Sequence, residues 1–118
     1  MLKVYVAGPY RCSGKCGYDL DHMRRGMNMG MDVLLAGYAP FIPWFDFLLK
    51  FLGKGEEAET KHFQDFCMEW LKVSDVVLVL PGWESSSGTI AEIKVAQELG
   101  IPVLYSFEDL LEKFPTGE

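Results

Sequence analysis

The stretch Asp75-Val76-Val77-Leu78-Val79-Leu80-Pro81-Gly82-Trp83-Glu84-Ser85-Ser86-Ser87-Gly88-Thr89-Ile90-Ala91-Glu92 decides how this chain reads. Its first six residues are a short run rich in branched apolar side chains, the pattern of a buried strand. Its far end runs on to Leu99, with Ile90, Ile93, Ala96 and Leu99 at helical spacing. Between them lies a Gly- and Ser-rich turn of the kind that leaves backbone N–H groups open at a helix start. Ser87 is placed to cap that helix, with Gly88 and Thr89 in its first turn. Glu92 falls about one turn inside, where a carboxylate serves either the helix dipole or a chemical purpose.

Upstream, Lys3-Val4-Tyr5-Val6-Ala7 is a second apolar run, halted by Gly8-Pro9, and reads as a central strand. The loop from Gly8 to Tyr18 is Gly-rich and carries Tyr10, Arg11, Ser13 and Lys15. A helix opened by Asp19 or Asp21 follows, and Leu20, Met23, Met27, Met31 and Leu34 give it one apolar face. Tyr38 to Pro43 is a short strand whose prolines suit a sheet edge or a strand end. The segment from Trp44 to Leu52 is densely aromatic and reads as a short helix over the sheet end or as a lid. Glu56 to Lys72 is the second long helix, with Phe63, Phe66, Cys67, Trp70 and Leu71 as its packed stripe. Beyond Gly100, Ile101 to Tyr105 is a last strand whose Pro102 belongs at an edge or bulge. Phe107 to Lys113 forms a short final helix.

Strands alternating with helices imply an α/β fold with a parallel sheet covered on both faces and right-handed crossovers. The 118 residues fit one domain spanning residues 1–118. At 49% hydrophobic residues the chain can bury a real core, and its formal net charge of −6 argues against polymeric nucleic acid and membrane surfaces. No stretch reaches the roughly 18 apolar residues of a membrane span. Cys12, Cys16 and Cys67 are an odd number, and the chain enters a strand at once with no secretory leader. Both points suggest a reducing, cytoplasmic setting. Cys12 and Cys16 lack the spacing and partners of a zinc knuckle, so no metal is expected. Gly8 and Gly14 are too far apart for a dinucleotide fingerprint, and no cofactor is expected.

In an open parallel sheet, ligands sit beyond the carboxyl ends of the strands. If the first and third strands are neighbours, three segments meet there. The first loop supplies Gly8, Pro9, Tyr10, Arg11 and Lys15. The aromatic segment supplies Trp44 and Asp46, and the central turn supplies Trp83, Ser85, Ser87, Gly88, Thr89 and Glu92. Flat apolar surface, hydroxyls, backbone donors and a carboxylate together suit a nucleoside or nucleotide.

Three patterns, in order, carry a resemblance to a known family. They are Val4-Tyr5-Val6-Ala7-Gly8-Pro9, the Leu71-to-Val77 strand opening with Asp75, and the Leu80-to-Glu92 turn followed by Ala96, Gly100, Ile101, Pro102 and Val103. Together they resemble the nucleoside 2-deoxyribosyltransferase superfamily, above all its small, often phage-encoded members. The resemblance implies a flavodoxin-like three-layer fold with four or five parallel strands in the order 2-1-3-4(-5). It implies cleavage of the N-glycosidic bond of a deoxynucleoside or nucleoside 5′-monophosphate, by hydrolysis or base transfer, in a homodimer or larger homo-oligomer. Glu92 would be the nucleophile and Tyr5 would position it or the sugar. Ser87, with the N–H groups of Gly88 and Thr89, would hold the 5′-hydroxyl or phosphate, and Gly8 would let the first loop approach the ligand. Members commonly carry an aspartate in the second long helix; here Cys67 stands at the closest register. Asp65, Asp46 and Asp75 are the candidates for the missing acid, Asp75 equally as a structural cap. Two competing readings keep the scaffold without the chemistry: a nucleotide sensor, or a phage interaction protein acting through the aromatic segment.

Overall fold

The computed structural model describes residues 1–9, 20–45 and 60–116. Its four parallel strands are β1 (Lys3–Ala7), β2 (Ala39–Phe41), β3 (Val76–Val79) and β4 (Val103–Leu104), ordered β2-β1-β3-β4. The helices are α1 (Leu20–Leu35), α2 (Thr60–Lys72), α3 (Ser87–Glu98) and α4 (Phe107–Lys113). Short 3-10 turns stand at Pro43–Phe45 and Trp83–Ser85. This is a flavodoxin-like three-layer α/β arrangement with the expected strand order.

The sheet is built from the middle outward. All four residues of β3 are buried, and β1 is buried from Val4 to Ala7, as strands covered on both faces must be. β1 pairs with β3 in register from Val4↔Val76 to Ala7↔Val79, and the Leu80 N–H reaches the Ala7 carbonyl at 2.8 Å. The edge strands are short and hold the prolines. Pro40 lies in β2, and Pro102 stops just before β4, where its carbonyl accepts the Val77 N–H at 2.9 Å.

Alternate residues of β1 feed two different cores. Val4 and Val6 face α1 and α4, packing with Val33, Tyr38, Leu110, Met23, Trp44 and Leu80. Tyr5 and Ala7 face α2 and α3, packing with Cys67, Leu71, Ile93 and Ala96. On the first face the Tyr38 hydroxyl donates to the Phe114 carbonyl at 2.6 Å, fastening the end of α4 beneath the start of β2.

The expected apolar face of α1 is corrected. Met23, Gly26, Gly30 and Val33 are its buried residues, while Leu20, Met31 and Leu34 are exposed. The reason is steric. A Cβ on Gly26 would overlap the Trp44 indole, and one on Gly30 would overlap the end of Ile42. Large side chains from the β2 end enter where α1 has none, so α1 turns its glycines inward. In α2 the expected stripe holds for Phe63, Cys67 and Leu71, but Trp70 is 54% exposed. In α3, Ile93 and Ala96 are buried with Thr89, whereas Ile90 and Leu99 are exposed. Among the described residues, no helix is long and apolar enough to cross a membrane.

Candidate active site

The strand order reverses between β1 and β3, so the crevice at their carboxyl ends is where this fold leaves room for a ligand. Pro9 ends the described part of the first loop, and Gly82 opens the central turn beside it. A Cβ on Gly82 would lie 3.4 Å from the Pro9 ring, and Gly82 has a φ of 91°, a left-handed conformation that favours glycine. The close packing of Gly8 has an internal cause: a Cβ there would come within 2.9 Å of the Leu80 Cβ. The Leu80 side chain is what requires that glycine.

The turn itself is ordered by its own side chains. The Ser85 hydroxyl donates to the Gly82 carbonyl at 3.1 Å. Ser86, not Ser87, caps α3: its hydroxyl accepts the Thr89 N–H at 3.3 Å and the Thr89 hydroxyl at 2.8 Å. The cap falls one residue early because Ser86 still has extended backbone, at φ −109° and ψ 107°, while Ser87 is already helical. Both polar groups of Thr89, which is 1% exposed, are therefore committed within the turn. The N–H groups of Ser87 and Gly88 have no acceptor among the described residues, and the space beside Gly88 is open. Trp83 is partly buried, and its ring leans on Tyr105 with centroids 5.5 Å apart.

Glu92 lies on α3 facing the sheet, and its neighbour there is Tyr5. The Tyr5 side chain is fully buried, and its hydroxyl makes no hydrogen bond of good geometry. It lies close enough to the Glu92 carboxylate and the Cys67 thiol to feel both, and burial with these two neighbours pushes its pKa far up. Burial likewise raises Glu92, to about 7, against the opposing pull of the Tyr5 hydroxyl. A partly buried carboxyl, raised toward neutrality at the border of an apolar core, is the feature that sets this face apart.

An aromatic stack continues from Tyr5 toward the surface. Phe41 lies on Tyr5 with centroids 5.4 Å apart, and Trp70 lies on Phe41 at 6.0 Å, both nearly parallel. Phe66 meets Phe41 edge-on at 6.3 Å. Phe41 carries no sequence signal for this site, whereas Cys67 is marked both by its place in the packed stripe and by its register with the aspartate that the resemblance leads one to expect.

Several expected site residues stand elsewhere. Asp75 lies at the amino end of β3, opposite the crevice, where its carboxylate accepts the Lys3 N–H at 2.8 Å and its own N–H binds the Lys3 carbonyl. It is a strand clamp. Asp65 lies on the exposed face of α2, two residues from Cys67 and so turned away from Tyr5. Trp44 is 1% exposed and fills the α1 core beside Val6, Met23 and Leu80, on the other side of the sheet from Tyr5. It is a core residue; Phe47 and Phe51 of the expected aromatic surface lie outside the described residues. Tyr10, Arg11, Lys15 and Asp46, like Cys12 and Cys16, lie outside the described residues.

Residues 2–105 match a family described as Domain of unknown function (DUF4406). The chain belongs to the DUF4406 family. No curated protein matches this DUF4406 chain significantly. Among solved structures it is similar to a 2-deoxyribosyltransferase from the psychrotolerant bacterium Bacillus psychrosaccharolyticus, with a TM-score of 0.64 and 18% identity. That likeness covers 86% of the DUF4406 chain and 69% of the transferase. At this identity it shows a shared fold.

Proposed function

We propose that this domain cleaves the N-glycosidic bond of a nucleoside or nucleoside 5′-monophosphate, with Glu92 as the nucleophile. The observation that carries the reading is the desolvated Glu92 carboxylate beside the buried Tyr5 hydroxyl, one helix turn behind the β1/β3 crevice. The fold shared with a 2-deoxyribosyltransferase supports the substrate class.

The chemistry follows from charge. As the bond from the base nitrogen to the anomeric carbon breaks, the sugar becomes cation-like and the base keeps the bonding pair, taking a proton from solvent. A Glu92 oxygen then bonds to the anomeric carbon. Water releases the sugar in hydrolysis; a second base takes it in transfer. A poorly solvated carboxylate gains most when positive charge develops beside it, which favours the transition state over the empty site. Tyr5 donates to the ionised carboxylate and holds its direction. The open N–H groups of Ser87 and Gly88, with the exposed Ser87 hydroxyl, take the 5′-oxygen or phosphate.

Only ionised Glu92 can attack, so kcat/KM should rise with pH and level off above about 7. The direct test incubates the protein with a panel of nucleosides and nucleoside 5′-monophosphates, with and without a second free base, and follows released or exchanged base by chromatography. Base release that disappears in Glu92→Ala supports the proposal. Stabilisation by a nucleotide without turnover would replace it with the sensor reading.

A further inference from the structure

The mechanism above uses Glu92 and Tyr5 but leaves a third group in the same cluster without a task. Cys67 reaches this cluster from α2; it is 7% exposed and packs in one core with Tyr5, Leu71, Ile93 and Ala96. The Tyr5 hydroxyl, fully buried and without a well-formed hydrogen bond, faces both the thiol and the Glu92 carboxylate. A buried hydroxyl with no settled partner is costly, so a neighbour able to satisfy it matters.

We propose that Cys67 is a positioning residue: its thiol sets which way the Tyr5 hydroxyl proton points, and so how firmly Tyr5 holds Glu92. The donor inventory dictates the arrangement. A tyrosine hydroxyl has one hydrogen and an oxygen that accepts; a thiol is a weak donor and a weak acceptor. When Glu92 is ionised, the Tyr5 hydrogen goes to the carboxylate, because a charge-assisted bond is roughly twice as strong as a neutral one. The Tyr5 oxygen then faces the thiol, whose hydrogen turns toward it. The chain runs Cys67 S–H to Tyr5 O–H to Glu92 carboxylate, each link polarising the next. When Glu92 carries the proton, the order reverses: Glu92 donates to Tyr5, and Tyr5 donates to the sulfur. A thiol serves both arrangements, and the first gains more because it ends on a charge.

No other titratable side chain among the described residues is seen to face this cluster. β1 contributes Tyr5, α2 contributes Cys67 and α3 contributes Glu92. The other members of that core, among them Phe41 from β2, Phe66 from α2, and Val77 and Val79 from β3, carry no titratable group. The inference gives a role within the proposed reaction, but its test needs no substrate and stands apart from whether turnover is found.

The experiment follows the Glu92 side-chain carboxyl by carbon-13 NMR across pH 4 to 10 in the wild type, Cys67→Ser and Cys67→Ala. Serine is a stronger donor of nearly the same shape and should move the Glu92 midpoint down by about half a pH unit or more. Alanine removes the donor and should move it up by a similar amount. Opposite directions separate hydrogen bonding from packing, since a packing defect common to both would shift them alike. In a Tyr5→Phe background the Cys67→Ser shift should vanish, because the link between thiol and carboxylate is gone. Equal midpoints in all three proteins, shifts of the same sign, or a serine effect that persists without the Tyr5 hydroxyl would each overturn the proposal. Should one Cys67 variant fail to fold, the other with its Tyr5→Phe partner still decides it.

Discussion

The two faces of the sheet share strands but are built to different rules. On the α1/α4 face, Val4 and Val6 meet Val33, Met23, Trp44, Leu80 and Leu110, with two helix glycines admitting Trp44 and Ile42. Its buried polar group of note, the Tyr38 hydroxyl, is satisfied by a carbonyl. On the α2/α3 face, one residue along the same strand, Tyr5 brings a hydroxyl into the core against Cys67 and Glu92. The first face is built mainly from apolar packing around one hydrogen-bonded hydroxyl. The second leaves a hydroxyl unsettled and a carboxyl short of solvent, a cost that is reasonable where chemistry is done. A single strand can do both because its side chains alternate.

This contrast can be broken at several points. The largest effect should come from Glu92→Gln, which keeps the shape and removes the nucleophile. Base release should fall by about 10³-fold or more, the scale on which such deletions act, as measured by initial rates on the best substrate. A residual rate within tenfold of wild type would remove Glu92 from the chemistry. Next, Trp44→Ala on the opposite face should destabilise the fold by about 3–5 kcal/mol through the cavity it leaves. Chemical denaturation measures this loss. The Glu92 titration midpoint should stay put if the faces are independent.

The third effect is a stability that depends on pH. Glu92 is ordinarily near 4.5 and lies at about 7 in the fold, so the folded chain holds an extra proton between those values. The contribution is therefore full below about 4.5 and lost as pH rises through about 7. Glu92→Gln escapes this loss. At pH 8 it should be more stable than wild type by up to about 3 kcal/mol, and at pH 4.5 the advantage should be gone. Thermal melts at the two pH values check the sign. The smallest effect belongs to the turn: Ser86→Ala removes the α3 cap and should cost about 1 kcal/mol, whereas Ser87→Ala should cost far less.

The strand order was readable because the four apolar runs alternate with helices and carry their prolines where edges form. The place of Glu92, on the helix that follows the turn, was readable because a Ser-rich turn and a carboxylate stand at fixed spacing after a buried strand. The inward face of α1 was not readable. Hydrophobic periodicity selects Leu20, Met23, Met27, Met31 and Leu34, of which Met23 is buried, but the helix turns Gly26 and Gly30 inward to receive side chains distant in sequence. Trp44 was misread for the complementary reason, since an aromatic residue in a loop looks available until its receptor glycines are placed. The cap moved by one residue because three consecutive serines are equivalent in sequence and only backbone geometry separates them. Asp75 and Asp65 were plausible acids by type. The strand end and helix phase that set them apart from Glu92 are three-dimensional facts.

The most direct test of the central claim is to trap the sugar on the protein. A 2-deoxy-2-fluoro nucleoside, or its 5′-monophosphate, slows release of a glycosyl-enzyme because fluorine destabilises the cation-like state. Intact mass should increase by one fluorinated sugar, with peptide mapping placing it on Glu92 and none on the Glu92→Gln protein. A substrate that releases its base while Glu92 stays unmodified, or a sugar found on another residue, would contradict the account.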